Sequence, residues 1–336
     1  MKLKYYLCVT LYAIVATLTL NSCDTDVETT TIQHLYKYDP QYFENIRSWK
    51  KTNHEISYVY YAAWAPLEGQ SGYKDPASYG ERIIGLPDSL DIVNLWMGIP
   101  TPEEHPIAYA DMVYCQDNLG TQFVFHGDAS HHGHTFYDRK WNESTGQFEY
   151  VFDEKGNHVV ITEHSGNQAE LESYARWAVD TVVKCRLDGV DFDYEGWNSN
   201  DMMVVAKECH KYFGPDGKWP EKMFIIDWFS GSPSTDIDQY CDWIVRQAYT
   251  WQIGFQTGTG GHAQEKLVYC DSFGSEAGDN GPKGAQVCNY ARWEPATGHK
   301  GGCGAFYVDY NYKDPSGIPY GEFRKAIQIM NPAIHK

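Results

Sequence analysis

Asp188-Gly189-Val190-Asp191-Phe192-Asp193-Tyr194-Glu195 is the stretch that decides the architecture. Asp191, Asp193 and Glu195 recur at every second position, with Val190, Phe192 and Tyr194 between them. In an extended strand, residues i, i+2 and i+4 share one face. The stretch therefore reads as a strand with a row of carboxyl groups on one side and an apolar, aromatic row on the other. Successive acids of that row lie about 6–7 Å apart along the backbone. Ionised carboxylates that close in a partly buried place repel one another, so at least one proton is retained and the pKa values separate. Such clusters lower stability and concentrate at active sites. A solvated acidic edge or a calcium site would also gather acids, but the apolar alternate residues argue for a buried strand.

Working outward, strand-like runs occur at Ile56–Ala63, Asp91–Met97, Gln122–His126, Gly189–Tyr194, Met223–Trp228, Trp243–Tyr249, Leu267–Asp271 and Gly304–Tyr310. Helical periodicity separates several of them. It is clearest over Gln168–Arg186, where Leu171, Tyr174, Ala175, Ala178, Val179, Val182 and Val183 fall at 3–4 spacing. Met202–Phe213 and Tyr320–Met330 are further helices, and Asp39-Pro40 starts another. Eight strands alternating with helices predict an α/β fold, a single-domain (β/α)8 TIM barrel. A doubly wound open sheet competes, but no Gly-rich phosphate loop supports it. In a barrel, function sits where strands end and βα loops begin, as at Gly127–His134 and Gly254–His262. Glu195 falls at such an end.

The composition is globular: 42% of the 336 residues are hydrophobic, enough to fill a core. The net charge is −18, with no basic run, which makes the chain a poor candidate for binding nucleic acid or an anionic membrane surface, so no nucleic-acid partner is expected. Residues 1–22 have the layout of a signal peptide: Lys2 and Lys4, an apolar run to Leu20, then Asn21-Ser22 before Cys23. Their removal takes the charge to −20, because they carry two lysines and no acid. The segment around Cys23 resembles a bacterial lipoprotein box, which implies acylation of Cys23. Asp24, Asp26 and Glu28 then resemble the surface-export signal of gut Bacteroidetes lipoproteins. The expected organisation is a signal peptide at 1–22, an acylated Cys and tether at 23–35, and the barrel at 36–336. The lipid anchor is the expected membrane contact, at the outer membrane with the barrel exposed on the cell surface. Of nine cysteines, seven follow Cys23, and none forms a CxxC pair, so a structural zinc site is not expected.

Asp188–Glu195 resembles the DGxDxDxE pattern that glycoside hydrolase family 18 carries on its fourth barrel strand. The resemblance implies substrate-assisted hydrolysis with retention, an exception to the two-carboxylate scheme. The acetamido oxygen of the substrate's own N-acetylglucosamine attacks the anomeric carbon and forms an oxazolinium ion. On that basis Glu195 protonates the glycosidic oxygen and then activates water, with its pKa raised by neighbouring negative charge. Asp193 accepts the acetamide N–H and stabilises the developing positive charge. Asp191 shares a proton with Asp193, and Asp188 is structural. No metal or other cofactor is needed.

Gln247 and Tyr249, two apart on the sixth strand, point to a subgroup. Chitinases of the family carry Met-x-Tyr-Asp there, whereas bacterial endo-β-N-acetylglucosaminidases carry Gln-x-Tyr, as this chain does. The resemblance implies that Tyr249 donates to the acetamide oxygen and that Gln247 helps hold the group. Trp96, Asp227, Trp228 and Tyr310 are candidate substrate-binding residues, each with core packing as the alternative. The eighth strand has no Trp beneath the sugar, a departure from many chitinases. His126, His131, His132 and His134 read as a polar loop for glycan contact in preference to a metal site.

The expected function is hydrolysis of the GlcNAc-β1,4-GlcNAc core of N-glycans by an endo-β-N-acetylglucosaminidase. The partners are N-glycans of glycoproteins, and a monomer is expected. A chitinase or a non-catalytic glycan-binding protein are the alternatives, and the intact Glu195 argues against the second.

Overall fold

The structure, a computed structural model, describes residues 38–67, 70, 72–127, 136–161, 167–214, 216–274 and 286–333. The main compact unit is Pro40–Lys336. The segments expected to be a signal peptide (1–22) and an acylated tether (23–35), and His131, His132 and His134, lie outside the described residues.

Eight strands close a parallel barrel: β1 (Ile56–Tyr60), β2 (Ile92–Leu95), β3 (Gln122–Gly127), β8 (Gly189–Asp193), β9 (Met223–Trp228), β10 (Trp243–Gln247), β11 (Leu267–Ser272) and β12 (Gly302–Phe306). They follow one another around the barrel in chain order, with β12 pairing back onto β1. The expected (β/α)8 fold is therefore present. Between β3 and β8 the chain inserts two small antiparallel pairs, β4 (Phe136–Tyr137) with β7 (Val160–Ile161) and β5 (Arg139–Asn142) with β6 (Gln147–Tyr150).

The helical layer is uneven. Long helices span Gln168–Lys184 and Ser199–His210, capped by Asn167 and Asn198 side chains that accept backbone N–H groups. By contrast, β9 and β10 are joined through a 3-10 turn at Thr235–Gln239, and β10 is followed by a four-residue helix at Thr250–Ile253. Neither segment showed helical periodicity, because neither lays a long apolar stripe against the sheet.

Alternation along the strands builds two cores. Val190, Phe192 and Tyr194 face outward and pack in the layer between barrel and helices. Ile56, Tyr58, Tyr60, Ile92, Val124, Met223, Ile225, Val245, Val268 and Cys270 fill the lumen. Gly189 is required by close approach: a Cβ there would lie 2.4 Å from the carbonyl oxygen of Met223 on the next strand. Asp188 fastens the start of β8 to β3, accepting the Phe123 N–H at 2.8 Å and the Gln116 amide at 2.8 Å. The seven cysteines after Cys23 are free thiols, six of them buried. Among the described residues no helix is long and apolar enough to cross a membrane.

Candidate active site at the barrel mouth

The acidic row enters the lumen from β8. Asp191 is fully buried, Asp193 is half-buried one layer higher, and Glu195 is exposed at the rim just beyond the strand. This gradient follows from strand geometry: each step of two residues climbs one layer toward the C-terminal mouth.

Asp191 accepts the hydroxyl of Tyr58 on β1 and the amide of Asn94 on β2, the latter at 2.9 Å. Asn94 also donates to the Tyr58 oxygen at 3.0 Å. Burial pushes the Asp191 carboxyl up, and the hydrogen bond from Tyr58 only partly offsets it.

Asp193 has different neighbours. Its Oδ1 accepts the backbone N–H of Glu195 at 3.1 Å, and its Oδ2 lies 3.6 Å from Nε2 of His126. Burial works to raise this carboxyl, but His126 and the other donors outweigh it and hold it below the ordinary value. Its carboxyl partner is Asp227, the residue beside it in register on β9. The sequence reading has Asp191 sharing a proton with Asp193; in the structure Oδ2 of Asp191 accepts from Tyr58 and Asn94, and the carboxyl beside Asp193 in lateral register is Asp227. Sequence spacing showed only acids on one strand, whereas the pairing crosses two.

Glu195 is pushed up by burial of its inner side and then by the Asp193 charge. A raised carboxyl at an open rim suits a group that must begin as an acid.

Asp227 is fully buried, held by the Tyr60 hydroxyl and by Nε2 of Gln247 at 3.0 Å. Gln247 is thus committed to a neighbouring carboxyl and is itself almost completely buried. Tyr249 stands above it, with its ring stacked between Phe229 at 5.7 Å and Phe306 at 5.6 Å. Burial and then nearby anionic groups, Asp193 and Glu195 among them, push the Tyr249 phenol well up, so it remains a donor at neutral pH. Glu195, Asp193 and Tyr249 therefore converge at the C-terminal end of the barrel.

The platform residues divide. Trp96 lies just past β2 and packs edge-on against Phe306 at 5.1 Å and Tyr307 at 5.5 Å, lining the mouth. Tyr310 is not on the eighth strand, which stops at Phe306; it sits in a 3-10 turn, exposed, against Tyr307. Trp228 faces outward, because its parity along β9 is opposite to that of Asp227. Its ring is buried under the Arg246 guanidinium, 3.8 Å from the ring centroid. Trp228 therefore belongs to the outer core. Tyr58, Tyr60 and Asn94 were missed, and His126, read as part of the loop after the third strand, stands on β3 itself; each follows the same inward parity. Only the closed barrel brings strands this distant in sequence together. Beside Trp228 in the outer layer, the buried His262 joins two loops, meeting Ser232 Oγ at 2.9 Å and Asp238 Oδ1 at 2.6 Å. Among the described residues no cluster of metal-ligating side chains is present.

Comparison with known proteins places this geometry. Residues 47–305 match the family described as the endo-beta-N-acetylglucosaminidase EndoS TIM-barrel domain. The chain is 25% identical over 327 residues to endo-beta-N-acetylglucosaminidase F2 of Elizabethkingia meningoseptica, covering 86% of this chain and 85% of that protein. The crystal structure of an endo-beta-N-acetylglucosaminidase from Cordyceps militaris superposes with a TM-score of 0.59 at 18% identity, covering 89% of this chain and 98% of that one. A variant of the same Cordyceps militaris enzyme, in complex with fucosyl-N-acetylglucosamine-Asn, superposes with a TM-score of 0.58 at 17% identity, covering 88% and 98%. The last two comparisons speak to the fold alone. The resemblance to glycoside hydrolase family 18 read from Asp188–Glu195 is borne out. With its acidic strand and barrel mouth inside the matched span, the chain belongs to the endo-beta-N-acetylglucosaminidase EndoS TIM-barrel family of glycoside hydrolases.

Proposed function

We propose that the chain hydrolyses the GlcNAc-β1,4-GlcNAc bond in the core of N-glycans, leaving one sugar on the protein, by a retaining, substrate-assisted mechanism. The observation that carries the reading is the meeting of Glu195, Asp193 and the Tyr249 hydroxyl at the C-terminal end of the barrel within a family of endo-β-N-acetylglucosaminidases. The protonated Glu195 donates to the glycosidic oxygen as the bond to the anomeric carbon breaks. The substrate's acetamido oxygen attacks that carbon from the opposite face, giving the oxazolinium ion. Asp193, kept ionised, accepts the acetamide N–H and stabilises the charge that spreads over the ring. Tyr249 donates to the acetamide oxygen and orients it for attack. Glu195, now a carboxylate, takes a proton from the water that opens the oxazolinium, restoring both the acid and the original anomeric configuration.

Two relatives support the substrate class: the Elizabethkingia meningoseptica protein is an endo-beta-N-acetylglucosaminidase, and the Cordyceps militaris enzyme variant holds a sugar linked to Asn. The test is incubation of the mature protein with glycoproteins bearing high-mannose, hybrid and complex glycans. Released glycans ending in a single reducing GlcNAc are expected. Release from none of the three, with turnover of chitin oligomers instead, would select the chitinase reading.

The cellular setting is part of the same proposal. Cys23 is acylated after removal of residues 1–22 and anchors a monomeric barrel to the outer face of a bacterial outer membrane. The acidity of the chain supports this, since it leaves the anchor as the membrane contact and disfavours nucleic acid. Metabolic labelling with a fatty acid should mark the wild type and not Cys23→Ala; equal labelling of both would reject the anchor.

A further inference from the structure

We propose that Asp227, on the fifth barrel strand, is a positioning residue that holds a proton against Asp193 and so fixes this carboxylate, ionised and in one rotamer, for the acetamido group of the substrate. The catalytic half of this proposal rests on the endo-β-N-acetylglucosaminidase reading. Its proton-holding half rests on the barrel interior alone.

Asp193 and Asp227 are lateral register partners across β8 and β9, in inward-facing positions one layer above Asp191 and Ile225. Asp227 is fully buried. Two donors from different strands fix its orientation: the Tyr60 hydroxyl on β1 and the Gln247 amide on β10, the latter at 3.0 Å. Neither donor is charged. The titratable groups that face Asp227 are Tyr58 and Tyr60 from β1, Asp191 and Asp193 from β8, Tyr249 beyond β10, and Cys270 from β11. None is a cation and two are acids. His126, on β3, stands beside Asp193 at 3.6 Å and so favours ionisation of that carboxyl over this one.

Among the described residues no lysine or arginine faces these three carboxyl groups, and three such groups packed together in a buried lumen do not all ionise. Burial, followed by repulsion from Asp191 and Asp193, pushes Asp227 well above the ordinary carboxyl value. Asp193 is held below it by His126 despite its own burial. The retained proton therefore sits on Asp227 and is donated in a hydrogen bond to Asp193. Together with the Glu195 N–H on Oδ1, this bond fixes the Asp193 carboxylate. No bond at Asp227 forms or breaks during turnover, and its proton stays in place while positive charge develops on the acetamido group. Gln247, read from sequence as a contact to that group, acts through Asp227 instead.

The experiment compares wild type with Asp227→Asn and Asp227→Ala. Asparagine keeps a neutral donor beside Asp193, whereas alanine removes it. On an N-glycoprotein, Asp227→Ala should lower kcat by roughly 30- to 100-fold with KM changed by less than about twofold, because loss of orientation is felt mainly in the chemical step. Asp227→Asn should be at least about tenfold faster than Asp227→Ala. Equal damage in the two variants, or a rise in KM with kcat unchanged, overturns the positioning role. The second arm needs no activity. A carboxyl that keeps its proton in the fold, above the pH at which the unfolded chain releases it, makes the wild type lose stability as pH rises from about 4. The Asn side chain does not titrate, so the Tm of Asp227→Asn should gain on that of wild type progressively between about pH 5 and pH 8. A gap that does not change with pH, or that shrinks, overturns the proton assignment. A wild type that releases no N-glycan would reject the endo-β-N-acetylglucosaminidase reading, and the Tm arm would still decide where the proton resides.

Discussion

The backbone N–H of Glu195 donates to Oδ1 of Asp193 at 3.1 Å, so the group proposed as the acid and the group proposed to steer the acetamide are joined by the turn that ends the fourth barrel strand. The bond sets their separation and keeps both at the mouth. It also places the Asp193 charge where it raises the pKa of the Glu195 carboxyl.

Glu195→Gln should fold with an unchanged Tm and bind glycan, because the side chain is exposed and makes no packing contact that Gln cannot keep. Turnover should fall about 10³-fold or more, the scale of a lost general acid–base that serves both steps. Single-turnover kinetics together with glycan binding by calorimetry check this; wild-type turnover would reject the role.

Asp193→Asn should reduce kcat roughly 10²-fold, since an amide cannot counter the positive charge of the oxazolinium. KM should change little, because the interaction strengthens only as charge develops. Steady-state kinetics separate the two, and an unchanged kcat would remove the substrate-assistance argument.

The pH profile follows from the raised Glu195. It must be protonated to donate, so kcat falls as pH rises through its pKa, and the upward shift carries activity to less acidic conditions than a free glutamate would allow. Burial remains in Asp193→Asn but the neighbouring charge is gone. The alkaline limb of its residual activity should therefore move to lower pH. A limb that stays in place would assign it to another group.

Tyr249→Phe keeps the stack with Phe229 and Phe306 and removes one hydroxyl. A loss of about 10- to 100-fold in kcat with little change in Tm is expected for a donor to the acetamide oxygen. Thermal melts beside kinetics separate this from a packing defect.

Trp228→Leu tests the outward placement of that ring. It should lower stability by about 1–3 kcal/mol through lost contact with Arg246 and the outer core, with KM for glycan unchanged. Denaturant unfolding reads the first and kinetics the second; a large rise in KM with intact stability would return Trp228 to the cleft.

The local pattern of the chain was enough to determine the barrel and to place Glu195 at the end of its fourth strand. Period-two alternation in Asp188–Glu195 states which side chains share a face, and the parity of each strand run follows from residues two apart. That information is present in any short window, so Asp193, Glu195 and Tyr249 were legible. Strand ends were read too long at Ile56–Ala63 and Gly304–Tyr310, because β-prone residues continue past the last ladder bond. What only the tertiary structure decided is which inward residues meet. Tyr58 reaches Asp191 and Tyr60 reaches Asp227 across more than a hundred residues of sequence, once β1 closes against β12. The choice of Asp227 over Asp191 as the carboxyl beside Asp193 is likewise a matter of inter-strand register, set by how the sheet shears as it closes and by no single strand.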